Sequence, residues 1–265
     1  MTNQSNMLLG AVAGDIVGSV FEKHNIRTIK FALFCDRSRF TDDTVMTIAV
    51  ASKLIKPDGS YSEEMQNFGR RYPKAGYGGD FKKWLFSENP RPYGSYGNGS
   101  AMRVSPVGYA FEKIEEVWIE AKKSAEITHN HPEGIKGAVA VASAIFLARA
   151  GCTKEEIKNY IETNFNYNLN RTIIGIRPTY HFDISCQGSV PEAIISFLES
   201  SCVESSIRNA ISLGGDSDTI AAIAGAIAEA FYKEIPDNIR QEVIKRLPDE
   251  FLEILNNFTN RYLKR

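Results

Sequence analysis

The sequence predicts an all-α protein, one compact domain of roughly a dozen helices, and three observations carry that expectation. Apolar residues recur at helical spacing through most of the 265 residues. The helical stretches carry many Ala and Gly faces, and no Ser/Gly linker, charge block or low-complexity tract divides residues 1–265. The most strand-like or extended portion is 169–182, LNRTIIGIRPTYHF, where Pro178 limits regular pairing.

Residues 7–22, MLLGAVAGDIVGSVFE, read as a helix despite three glycines. Gly10, Gly14 and Gly18 recur every fourth residue and lie near one side, where small residues let another backbone come close. Asp15, Gly18 and Glu22 follow i, i+3, i+7 and share a face of that helix. In 39–56, RFTDDTVMTIAVASKLIK, the helical spacing of Val45, Ile48, Ala49 and Ser52 makes Thr41 to Thr44 a helix N-terminus. A helix over 61–74 and a loop feeding a helix over 75–86 follow. The Gly-, Pro-, Ser- and Tyr-rich stretch 89–111 starts as a loop and then enters a helix.

Residues 114–127 are helical, and 128–151 form a polar turn, a proline at the helix start and a long small-residue helix ending at Gly151. Thr153 and Glu156, three apart, open the next helix with a capping box. Residues 189–200, 206–214, 212–232 and the stretch from 237 onward complete the helical set.

Bulk properties exclude several function classes. With 31 basic against 32 acidic residues and a net charge of -1, nothing suggests general affinity for nucleic acid or an anionic membrane. Cys35, Cys152, Cys186 and Cys202 form no CxxC pair, which argues against a zinc ribbon or a disulfide framework and reads as reduced thiols in a cytoplasmic protein. The apolar start lacks a basic n-region and is cut by Asp15, against a signal peptide. No segment reaches about 18 uncharged apolar residues, so no membrane span is expected.

Three acidic groups share one design, an Asp or Glu cluster at or near a helix N-terminus beside small residues. They are Asp15 with Glu22, then Thr41, Asp42 and Asp43, and finally Asp216, Asp218 and Thr219. Hard divalent cations such as Mg2+ or Mn2+ take oxygen ligands of this kind. Helix capping is the plainer reading of either Asp-Thr cluster alone. One Asp satisfies a cap, however, and the second then needs another partner.

YGNGSAMR, 96–103, exposes backbone N–H groups around Asn98 that can approach phosphate oxygens, unless it is an ordinary Gly-rich turn. His129 and His131 are phosphate, ribose or acid/base candidates, the alternative being one local cap and one exposed ring. Cys186 has no sequence-local base and reads as a buried structural thiol.

In order, the segments GAVAGDIVGSVFE, FTDDTVMT, YGNGSAMRVSPVG, THNHPEGIKGA and GGDSDTIAAIAGAIAEA resemble the ADP-ribosylglycohydrolase family over nearly the whole chain. The resemblance implies an all-helical fold with a dinuclear centre of two Mg2+ or Mn2+ ions at the bottom of a cleft. Matched residue by residue, the metal ligands would be Thr41, Asp42, Asp43, Asp216, Asp218 and Thr219. Glu22 would act beside them as acid/base or gating carboxylate, with the aspartates Asp42 and Asp43 as further catalytic candidates.

The loop Gly97, Asn98, Gly99, Ser100, Ala101 and Met102 would hold the diphosphate, using the Ser100 hydroxyl and backbone amides. His129 would contact the phosphate or the distal ribose. The implied activity is hydrolysis of the N- or O-glycosidic bond between ADP-ribose and a protein side chain, arginine or serine. Hydrolysis of a small metabolite such as O-acetyl-ADP-ribose, or ADP-ribose binding without catalysis, are the alternatives. Two features stand apart from the motifs: Glu229, roughly three turns beyond the aspartates, where relatives often carry glycine, and Tyr77, Tyr93, Tyr96 and Tyr180, candidates for an adenine or acceptor rim.

Overall fold

A computed structural model describes residues 7–56 and 58–262. Fifteen helices form among them: α1 (Leu9–Gly18), α2 (Asp42–Ile55), α3 (Tyr61–Arg71), α4 (Gly79–Phe86), α5 (Gly99–Met102), α6 (Ser105–Ala110), α7 (Ile114–Glu126), α8 (Pro132–Arg149), α9 (Lys154–Phe165), α10 (Ile173–Ile176), α11 (Cys186–Leu198), α12 (Val203–Ser212), α13 (Ser217–Tyr232), α14 (Asp237–Ile244) and α15 (Asp249–Tyr262). The excess over the expected dozen comes from α5, α6 and α10. Each is too short to show a helical apolar period.

α13 is the axis of the molecule. Every residue from Ser217 to Ala230 is buried, as its nearly uninterrupted Ala, Ile and Gly composition requires. It packs against α1, α8, α11 and α12. The glycine stripe of α1 meets it backbone to backbone. A Cβ at Gly14 would lie 2.5 Å from Ala222 N, one at Gly18 2.7 Å from Asp218 N, and one at Gly10 2.7 Å from the Glu229 Cβ. Because α1 runs antiparallel to α13, these contacts descend α13 from Glu229 to Asp218. The stripe therefore sets how deep Asp218 sits.

Glu229 anchors the other end of this contact, accepting hydrogen bonds from Leu9 N (3.2 Å) and Gly10 N (2.9 Å). Those are N–H groups of the first turn of α1, which have no partner within their own helix.

The caps follow the sequence closely. Thr153 and Glu156 form the expected box on α9, and Ser60 with Glu63 form a second one on α3. His131 caps α8, its side chain accepting from Glu133 N at 3.1 Å. Two expectations need correction. α1 stops at Gly18, so Glu22 lies in the turn beyond the helix and shares no helical face with Asp15. The segment 169–182 is not a strand: it holds α10, capped by Thr172, whose side chain accepts from Gly175 N. The one isolated β-bridge among the described residues joins Gly97 to Ser185, just downstream.

Candidate functional site

The head of α2 is shaped by a residue of α1. Thr41, in extended conformation at the N-cap, accepts from Asp43 N at 3.3 Å. Asp15, fully buried, accepts four hydrogen bonds from this turn: Thr41 N (2.9 Å), Thr44 N (3.1 Å), Thr41 Oγ1 (2.6 Å) and Thr44 Oγ1. A carboxylate offers about four lone-pair sites. Three donors fall on Oδ2 and one on Oδ1, so Asp15 braces the TDDT turn and has at most one lone pair left. The Thr41 hydroxyl proton is directed to Asp15 and one lone pair of its oxygen accepts from Asp43 N, which leaves one lone pair for another partner. The cap comes from Thr41, so neither Asp42 nor Asp43 is used as a helix cap.

The second half of the site stands at the head of α13. Gly214 and Gly215 both have φ of +73°, the left-handed region that glycine adopts without strain, and they turn the chain out of α12. Asp216 occupies the N-cap position of α13 but makes no side-chain cap bond. Its Oδ2 instead accepts from the Asn98 side chain at 2.7 Å, tying α13 to the glycine loop. Thr219 Oγ1 donates to Asp43 Oδ2 at 3.3 Å and bridges the two halves. Carboxylate oxygens of Asp15, Asp43 and Asp218 lie within 4.8 Å of one another. Asp43 Oδ1 is buried and has no hydrogen-bond partner.

That arrangement is electrostatically incomplete. None of the ion pairs among the described residues involves Asp15, Asp42, Asp43, Asp216 or Asp218. Burial, reinforced by the neighbouring acids, raises the proton affinity of Asp42 to a pKa of about 7 and pushes Asp43 and Asp218 well above the carboxylate range. Burial also raises Asp15 and Asp216, offset in part by their hydrogen bonds. Packed anions in a low-dielectric pocket must bind protons or a cation. An unpartnered buried oxygen among hard oxygen donors is the donor set a divalent cation takes.

A cavity of about 420 Å3 opens above this acidic floor. Glu22, Thr41, Asp42, Asp43, Asp216, Asp218 and Thr219 line it, so the structure brings together both Asp-Thr clusters and Glu22. Gly97, Asn98, Gly99, Met102 and His129 line its wall. The loop is held by Asn98 N donating to Ile184 O (2.7 Å) and Cys186 N to Tyr96 O (2.9 Å). The loop passes close to His129: a Cβ at Gly99 would come 3.1 Å from His129 Nε2.

Two loop residues face elsewhere. The Ser100 hydroxyl is buried and donates to Gly134 O at 2.7 Å, and Ala101 is in the core. From Ser100 only the backbone is left to serve a ligand.

The tyrosine rim is also different. Tyr93 lines the cavity, but Tyr77 is buried behind it, Tyr96 is exposed against the His131 ring, and the Tyr180 hydroxyl donates to Gly188 O (2.9 Å). Phe182, the last residue of the stretch read as extended, and Ile184, two residues beyond it, are both more than half exposed and line the cavity, with no sequence signal pointing to either. Lys23, Arg39 and Lys74 face the same cavity, supplying positive charge around the acidic floor. Arg103 and Thr128 fall inside the stretches YGNGSAMR and THNHPEG, which gave them no role of their own; their contact with each other joins residues distant in sequence, and Thr128 in turn meets His129.

Fold and cavity together define an all-helical protein whose candidate site is a carboxylate-floored cleft walled by a glycine loop. The chain belongs to the ADP-ribosylglycohydrolase family, whose model matches residues 5–264. It is 29% identical to the mouse (Mus musculus) protein ADP-ribosylhydrolase ARH3, across 88% of this chain and 85% of that one, and 29% identical to its human (Homo sapiens) counterpart, across 88% and 87%. ADP-ribosylarginine hydrolase Tri1 of Pseudomonas putida is 23% identical across 85% of this chain and 69% of its own. A solved structure titled ADP-ribosylglycohydrolase-related protein complex superimposes with a TM-score of 0.73, covering 99% of this chain and 100% of that one at 22% identity, a likeness of fold. No helix among the described residues is long and apolar enough to cross a membrane.

Proposed function

We propose that this chain is a divalent-cation-dependent hydrolase of ADP-ribosyl linkages that removes ADP-ribose from a modified protein side chain, arginine or serine. The observation that carries the reading is Asp43 Oδ1, buried and unpartnered, in a cluster with the carboxylates of Asp15 and Asp218 beside a glycine loop. The names of two relatives, ADP-ribosylhydrolase ARH3 and ADP-ribosylarginine hydrolase Tri1, support the substrate class. Thr41, Asp42, Asp43, Asp216, Asp218 and Thr219 would hold two Mg2+ or Mn2+ ions. When bound, such ions polarise sugar hydroxyls and water as Lewis acids.

The chain's own groups account for the remaining work. Gly99 and Ser100 carry backbone N–H groups with no partner among the described residues, suited to donate to diphosphate oxygens. Asn98 ties that loop to Asp216, so the diphosphate and the sugar would be held in fixed register. Glu22 lies in a turn at the cavity wall, close enough for its charge to act on Asp42 and Asp216. As the bond from the anomeric carbon to the acceptor breaks, positive charge develops on the sugar, which the surrounding carboxylates stabilise. Glu22 takes a proton from the attacking water and returns one to the departing acceptor.

The test is a release assay on ADP-ribosyl-arginine and ADP-ribosyl-serine peptides and O-acetyl-ADP-ribose, in excess Mg2+ or Mn2+ and in chelator. Release of ADP-ribose from one of the peptides, abolished by chelator, is expected. Release from the acetyl ester alone would replace the protein substrate with a small metabolite. No release from any of the three would overturn the reading.

A further inference from the structure

His129 lines the cavity, but its far nitrogen faces a buried polar chain. Arg103, 1% exposed, directs one terminal nitrogen, NH2, at two acceptors, Ser124 O (2.9 Å) and Thr128 Oγ1 (2.9 Å). Thr128 Oγ1, also fully buried, is 2.7 Å from His129 Nδ1. A guanidinium only donates, so Thr128 Oγ1 must accept from Arg103. The hydroxyl has one proton, and Nδ1 is the one acceptor within its reach among the described residues.

Were Nδ1 protonated instead, two donors would point at the Thr128 oxygen and its own proton would be buried without an acceptor. A buried hydroxyl proton without an acceptor loses its hydration with nothing to replace it.

We infer that Arg103 and Thr128 are positioning residues that lock His129 as the neutral Nε2–H tautomer, making it a fixed hydrogen-bond donor to the substrate at the glycine loop. Nε2 stands 3.1 Å from where a Gly99 Cβ would be and 3.6 Å from a Gly97 Cβ, and Gly97, Gly99 and His129 line the same cavity. The Nε2 proton takes no partner among the described residues, which leaves it for an acceptor oxygen in the cavity. A ring whose Nδ1 accepts from Thr128 and whose Nε2 carries a proton has no lone pair facing the cavity, so His129 cannot serve there as a general base. Burial, and after it the positive charge of Arg103, act against a second proton on the ring. The class of ligand group it selects is an anionic or hydroxyl oxygen, which rests on the ADP-ribosyl reading above only in identifying that oxygen as phosphate or ribose.

The tautomer is measured by nitrogen-15 NMR of the histidine side chains in the metal-free protein. A pyrrole-type Nε2 and a pyridine-type Nδ1 for His129 are expected, and the reverse pattern overturns the inference whether or not the protein cleaves anything. Thr128→Ser keeps the donor and should keep the signature. Thr128→Val removes it and should raise KM for the cleaved peptide, or Kd for ADP-ribose, about tenfold, with kcat changing less.

If Thr128→Val lowers stability, the serine variant and the wild-type spectrum still decide the question. Equal tautomer and equal affinity in wild type and Thr128→Val would overturn it. Absence of any ADP-ribose binding, with the Nε2–H signature intact, would instead count against the proposed substrate.

Discussion

The closeness of α1 and α13 makes Gly14→Ala a sharp perturbation. Its Cβ would sit 2.5 Å from Ala222 N and closer still to the Ala221 carbonyl. Carbon contacts are comfortable only at about 3.5–4.0 Å. The obstacle is backbone of a helix that is buried on every side, so no side chain can swing away and the two helices must separate by roughly an ångström. Overpacking of this kind costs about 3 kcal/mol at the upper end of the usual range. Replacing a mid-helix glycine returns about 1 kcal/mol of helix propensity.

The net loss is then about 2 kcal/mol, or a fall in Tm of about 4–8 °C for a domain of this size. Gly79→Ala, at the start of α4 with nothing within 4 Å of the new Cβ, is the control and should hold or raise Tm. Differential scanning calorimetry of both variants reads the difference. A Gly14→Ala protein as stable as the Gly79→Ala protein would refute the argument that backbone contact along the glycine stripe fixes α13.

Two further outcomes follow from the buried acids. Asp15, Asp42, Asp43, Asp216 and Asp218 all have raised folded-state pKa values, about 7 for Asp42. Their contribution to stability is therefore full below the unfolded pKa of about 4 and is lost as pH rises through the folded values. Because protons and cations compete for the same oxygens, the rise in Tm on adding Mg2+ to chelator-treated protein should grow from pH 5 to pH 8. An equal rise at both pH values would contradict it.

Glu229, whose pKa burial pushes up to about 8, holds two N–H groups of α1. Glu229→Ala should cost about 3–5 kcal/mol in urea unfolding, through a cavity and two orphaned donors, and Glu229→Gln distinctly less because one acceptor oxygen survives. Equal losses would show that the hydrogen bonds to α1 are not what Glu229 supplies.

Much of the site could be read from residue order alone, because its parts are local. TDDT and DSDT each place carboxylates and hydroxyls within one helical turn, and the glycine spacing of 10, 14 and 18 announced a backbone contact without naming its partner. Aspects depending on distant residues could not be read this way. Nothing in the first motif says that Asp15 will reach across to four donors of the TDDT turn, since that bond pattern joins positions 26 to 29 residues apart.

Glu22 was placed on a helical face by extending a period four residues beyond Gly18, where the helix ends; the turn still delivers it to the cavity. Ser100 was read outward because its neighbours are, whereas in a helix of four residues consecutive side chains point in different directions, and this one meets Gly134. The stretch 169–182 carries β-branched and aromatic residues that suit strands, yet Thr172 supplies a helix cap.

The central claim is that two helix heads form a centre for divalent cations, and calorimetric titration of chelator-treated protein with Mn2+ or Mg2+ tests it most directly. Saturable binding by the wild-type chain is expected, with loss of most of it in Asp216→Asn, whose fold, checked by circular dichroism, should be retained. An absence of saturable binding, or an Asp216→Asn protein that binds the ions as the wild type does, would contradict the account.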